Sequence, residues 1–150
     1  MKVVRAVVVF RGLALAGLLV LTACAQAPSQ EMSDARRAVA GALSADPHAR
    51  VASGLARAQS SLRAAGASLE VGNYAIAREQ AIAAKRIAVG VHQLAKALKD
   101  LEVVMSEARA QGREVSGARR MAESALRAAH AGDLERASQL AHGARRLLLP

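Results

Sequence analysis

The chain has 150 residues, 53% of them hydrophobic and 37 of them alanine, with a formal net charge of +9 at pH 7. One cysteine excludes an internal disulfide, and one Phe, one Tyr and no Trp leave any core to Ala, Leu, Val, Ile and Met. So few aromatics also exclude the stacking platforms of a nucleic-acid binder, while the alanine content favours helix.

In chain order, Lys2, Arg5 and Arg11 form a basic start, and Gly12 to Leu21 is a run of ten residues without charge. That run is short of the roughly 20 apolar residues that a spanning helix needs, and it suits the apolar region of a signal peptide. It ends in Leu21-Thr22-Ala23-Cys24, which resembles the lipobox of bacterial lipoprotein signal peptides. The resemblance implies a diacylglyceryl group on the Cys24 thiol, cleavage between Ala23 and Cys24, and acylation of the freed amine with a palmitate-class chain. Residues 1–23 are then a cleaved signal peptide. By the same resemblance, Ala25, where some bacteria place an Asp that holds lipoproteins at the inner membrane, implies the periplasmic face of the outer membrane. Loss of Lys2, Arg5 and Arg11 takes Lys+Arg from 21 to 18 against 12 Asp+Glu, so the mature net charge is +6.

Residues 24–33 read as a flexible tether, because Ala25 to Ser33 is polar, holds Pro28 and has no periodicity. Residues 34–150 read as one all-α domain. Ser33-Asp34 opens a short helix to about Ser44. Asp46-Pro47 is a helix start, and the helix after it carries a stripe at Leu55, Ala58, Leu62, Ala65 and Leu69 before breaking at Gly72-Asn73. From Tyr74 the pattern stays helical to about Ala110, with an open possibility of a break near Lys99-Asp100. Its second half carries Ile87, Val91, Leu94, Leu98, Leu101, Met105 and Ala108 at coiled-coil-like spacing. Two further helices follow. The first carries Val115, Ala118, Ala122, Ala125 and Ala129 and ends at Gly132; the second is capped by Asp133 and carries Leu134, Ala137, Ala141, Ala144 and Leu148.

Gly72-Asn73-Tyr74 and Gly132-Asp133-Leu134 match at a separation of 60 residues, and so do Ala58 with Ala118, Ala65 with Ala125, Ala77 with Ala137, Ala81 with Ala141 and Ala84 with Ala144. The expected architecture is a helical bundle of two related antiparallel hairpins, about 48–90 and 108–150, linked by the long helix, with Tyr74 or Leu134 plugging the end of each. The turn itself is similar to that of tetratricopeptide repeats, without their period. From about Ser33 to Leu98 the chain resembles domain-of-unknown-function family 4398, through Asp34-Ala35-Arg36-Arg37-Ala38, a Pro-containing break, an Ala/Leu helix, and Gly72-Asn73-Tyr74 followed by Ala77-Arg78. That resemblance implies a helical periplasmic domain and no assigned reaction.

No constellation carries chemistry. His48, His92, His130 and His142 form no ligand pair on one helical face, and Glu102 and Glu107 do not stack. No nucleophile motif or phosphate loop is present, so no enzyme, no metal and no cofactor are expected. Arg36-Arg37, Lys85-Arg86, Arg119-Arg120 and Arg145-Arg146 are recurrent basic pairs. The expected function is a lipid-anchored cell-envelope module whose helix faces dock a partner protein or a cell-wall component. The alternative is a basic binding module for anionic envelope ligands such as lipid headgroups, lipopolysaccharide or peptidoglycan. The candidate interaction seam is Leu94, Leu98, Leu101 and Met105. The C-terminal helices look too short to cover the whole long helix, so partial exposure from Leu98 to Met105 and weak self-association are expected.

Overall fold

The computed structural model describes residues 26–45 and 51–149. Among them the chain is all-α, a bundle of five helices without strands: α1 (Ser29–Ala45), α2 (Ala52–Glu70), α3 (Tyr74–Ala110), α4 (Ser116–Ala131) and α5 (Leu134–Arg146). The signal peptide, Cys24 and the Asp46-Pro47 helix start lie outside the described residues.

The helix α3 is the spine. Its 37 residues run unbroken through Lys99-Asp100, a length of about 55 Å at 1.5 Å per residue. No Gly or Pro interrupts Lys99-Asp100, and Leu98 and Leu101 on either side are buried, so packing and backbone agree on continuity. Helices α1, α2 and α5 all pack on α3, α4 packs mainly on α5, and α2 also touches α4.

Three contacts give the direction of α1. Glu31 meets Arg78, Asp34 meets Lys85, and the Gly41 carbonyl meets the His92 ring, so α1 runs parallel to the first half of α3. The tight Gly72-Asn73 connection returns the chain, so α2 lies beside that same half in the opposite sense. Leu134 sits against Gly54 and Gly90, and Ala144 and Leu148 cluster with Leu101 and Met105, which places α5 parallel to the second half of α3.

The stripes read from spacing face the core, with Leu55, Leu62, Leu69, Ile87, Val115, Ala122 and Leu134 partly buried and the rest buried. Ala58, Ala65, Ala118, Ala125, Ala77, Ala137, Ala81, Ala141, Ala84 and Ala144 are all buried, so each alanine of the 60-residue match occupies a helix contact. Burial extends the correspondence to a helix that residue identity does not reveal. Met32, Ala35, Val39 and Ala42 of α1 and Val91, Leu94, Leu98 and Leu101 of α3 are buried in the same spacing, 59 residues apart.

Two expectations at the N-terminus are corrected. The helix α1 begins at Ser29 rather than Ser33, because the Pro28 carbonyl accepts from the Met32 amide at 3.0 Å and Met32 is buried. Of the stretch read as a tether, residues 29–33 are therefore helical, while Gln26, Ala27, Ser29, Gln30 and Ser33 stay exposed. Pro28 is fully buried, and the Arg78 guanidinium donates to the Gln26 carbonyl at 3.1 Å.

Candidate functional site

The seam residues are covered by the chain itself. Leu94, Leu98, Leu101 and Met105 are buried, with Leu98 only 4% exposed, so the expected partial exposure from Leu98 to Met105 is not found. The coverage estimate failed for two physical reasons. It left out α1, whose Val39 and Ala42 share a cluster with Leu94 and Leu98. It also left out the turn after α5, which puts Leu148 beside Leu101 and Met105. The seam is core, and the exposure that motivated self-association is absent.

What α3 leaves open is a different face. Because α5 starts at Leu134, level with Gly90, the part of α3 before Gly90 and in line with α5 has no helix over it. A Cβ at Gly90 would stand 3.1 Å from a Leu134 methyl, so glycine permits this close approach. Beyond that contact lies an open groove of about 970 Å³ between α3 and the start of α5. That volume is at the upper end of the range for small-molecule sites and large enough to seat several side chains of a partner. Ile82 and Val89 line it while 52% and 40% exposed, and Ile87 and Leu134 complete the apolar part. Spacing of seven residues puts Ile82 and Val89 on one face. Lys85, Arg86 and His142 add polar and cationic edges.

The basic pairs do not converge on one site. Arg37 is paired with Asp34, and Lys85 reaches the same carboxylate at 2.8 Å. Those cations hold Asp34 below the usual carboxylate range, with the Lys85 hydrogen bond the largest cause. Arg86 lines the groove. Arg119 lies 3.4 Å from Glu123 on its own helix, and Arg145 and Arg146 occupy the last turn of α5, where the dipole favours cations.

The histidines stay apart. His92 contacts the Gly41 carbonyl at 3.1 Å, His130 the Leu126 carbonyl at 2.7 Å, and His142 lies on the groove; His48 is outside the described residues. Among the described residues no cluster of three His, Cys, Asp or Glu could hold a metal, and no helix is long and apolar enough to cross a membrane. No family model, no curated protein and no solved structure matches this chain.

Sequence reasoning missed the groove. Ile82 and Val89 keep the seven-residue spacing of a core seam, and only the place where α5 starts against α3 decides which of its apolar positions are covered.

Proposed function

We propose that this chain is a lipid-anchored module of the bacterial cell envelope, built as two related helical hairpins that share α3, and that it binds rather than catalyses. Acyl chains on Cys24 would hold it to the membrane, with the periplasmic face of the outer membrane as the location. The groove beside Ile82, Arg86 and Val89 would dock a partner protein or a cell-wall component.

The observation that carries the docking reading is the pair of large apolar side chains left exposed at Ile82 and Val89, beside a cation, in a chain whose other α3 stripe is buried. The Leu-Thr-Ala-Cys ending supports the anchor. A photoreactive residue at Ile82 or Val89 in intact cells should give a discrete crosslink. The same residue at exposed Ala67 on α2 should not. Equal yields from all three positions would remove the groove as the docking face. For the anchor, a clickable fatty acid should label the protein, and Cys24→Ser should abolish both label and membrane retention.

The Arg86 edge supports the second reading, an anionic envelope ligand. Its signature is binding that weakens steeply with salt, because screened cations lose attraction while apolar docking does not. Arg86→Gln should then weaken binding more than Ile82→Ala.

A further inference from the structure

The way the chain joins the bundle bears on how the module stands at a membrane. We infer that the end of the bundle formed by the α2–α3 turn rests against the lipid surface, with α3 directed away from it. The inference rests on the proposed acylation of Cys24.

Reach limits how far the bundle can stand from the anchor. Gln26 is already fixed by Arg78, which holds its carbonyl at 3.1 Å, and Pro28 is buried two residues later. Arg78 is itself tied to Glu31 at 2.8 Å, so the start of α1 and the first turn of α3 are clamped together. Two residue steps separate Cys24 from Gln26, and extended chain covers at most about 3.6 Å per residue, so the first fixed residue lies within about 7 Å of the anchor. So short a link keeps this end of the bundle close to the anchor.

The side chains at that end suit a lipid surface as well. Arg78 lies one turn into α3 from Tyr74, so the Gly72-Asn73 turn belongs to the end of the molecule where the chain leaves towards Cys24. Val71, at this turn, is 79% exposed, the highest value among the exposed large apolar side chains. Tyr74 beside it is half-buried. An exposed Val and a half-buried Tyr suit the boundary between headgroups and acyl chains. The nearby charges Glu31, Glu70, Arg78 and Glu79 are mixed in sign. Three acids against one base leave this end at −2, so cationic attraction to lipid phosphates does not hold it and the contact is made by Val71 and Tyr74. The α3–α4 turn at Gln111-Gly112 then projects into the aqueous space, about 55 Å away along α3. The groove beside Ile82 and Val89 opens sideways between these two ends, where a partner can reach it without displacing lipid.

The test uses full-length lipidated protein in phospholipid vesicles. Acylation consumes Cys24, the only natural cysteine, so Val71→Cys or Gln111→Cys supplies one free thiol for a fluorophore. A lipid-borne quencher should suppress the label at 71 severalfold more than the label at 111, and a water-soluble quencher should show the reverse order. A Gly/Ser insert of about ten residues between Ala25 and Gln26, spanning about 17 Å as a coil, should shrink the difference. Equal quenching at both positions in acylated, vesicle-bound protein overturns the orientation and leaves the anchor standing. An intact mass showing unmodified Cys24 overturns anchor and orientation together.

Discussion

The turns Gly72-Asn73-Tyr74 and Gly132-Asp133-Leu134 are locally the same object in two different places. Both glycines have positive φ, 75° and 98°. Both Asx side chains accept from the amide three residues on, Ile76 and Arg136, and both Asx amides donate to the carbonyl five residues back, Ser68 and Ala128. Yet the first turn stands at the outer end of the bundle with space around Gly72. The second is pressed into the middle, where Arg57 crowds Gly132 and Leu134 fits against Gly54 and Gly90. A turn is encoded within a few residues, whereas its contribution to stability is set by what the rest of the chain brings to it.

The largest effect should come from breaking the middle itself. All five helices meet there, with Val39, Ala58, Leu98, Ala125 and Ala141 in one cluster. Leu98→Ala should cost about 2–5 kcal/mol in urea unfolding, as for a fully packed leucine. Leu98→Glu should unfold the protein, because it puts a carboxylate where no water reaches. A Leu98→Glu protein that stays folded with a native helical spectrum would mean that the two halves are not docked on each other.

Next comes the pair of turn glycines. Gly72→Ala should lose about 1–2 kcal/mol, the cost of an L side chain in left-handed backbone. Gly132→Ala carries that same strain and also moves the Arg57 guanidinium, the far end of an exposed and flexible side chain, so it should lose only slightly more. Equal losses would show that the crowding at the middle relaxes freely, and that the two turns differ in surroundings but not in energy.

The Gly-Asx turns and the four stripes were legible because each rests on local rules: a glycine that can turn left-handed, an Asx that can cap, apolar residues at helical spacing. The helix α1 was only half legible. Its start at Ser29 depends on Met32 finding a slot on α3, and nothing within Ser29 to Ser33 announces that contact. The correspondence of α1 with the second half of α3 escaped notice because alanines in one align with leucines in the other, Ala35 with Leu94 and Ala42 with Leu101. Gly54 and Gly90 carry no signal in the sequence, and only Val91 crowding the first and Leu134 the second give them a purpose. The groove follows from where α5 starts against α3, which is a tertiary fact.

The caps should give a smaller and nearly equal effect. Asn73→Ala and Asp133→Ala each remove one side-chain acceptor at a helix start, worth about 1 kcal/mol. Because the cap is local, the two losses should agree within a few tenths of a kcal/mol despite the different surroundings of the turns, with Asp133 slightly ahead for its charge at the helix N-terminus. Matched losses at the caps beside unmatched losses at the glycines would separate what is local from what is tertiary.

The smallest effect is one of pH, and it belongs to the N-terminal region. Asp34 is hydrogen-bonded by Lys85 at 2.8 Å, with Arg37 beside it, and this holds its carboxyl below the usual value of 3.8 although some desolvation works against it. A carboxyl whose folded value is depressed stabilises the fold fully above its unfolded value and loses that contribution as pH falls through the folded one. The contact between α1 and α3 should therefore be at full strength at neutral pH and weaken only as the pH drops below about 4. The group is exposed to solvent, so the change should be small and further reduced by salt. Hydrogen exchange on α1 should quicken on acidification before exchange on α5 does. Asp34→Asn should show the faster α1 exchange already at neutral pH, with a flatter response below pH 4. If α5 opened first, or if the Asn variant kept the wild-type acid response, the carboxylate would not be what ties α1 to the spine, and its packing through Met32, Ala35 and Val39 would have to hold it alone.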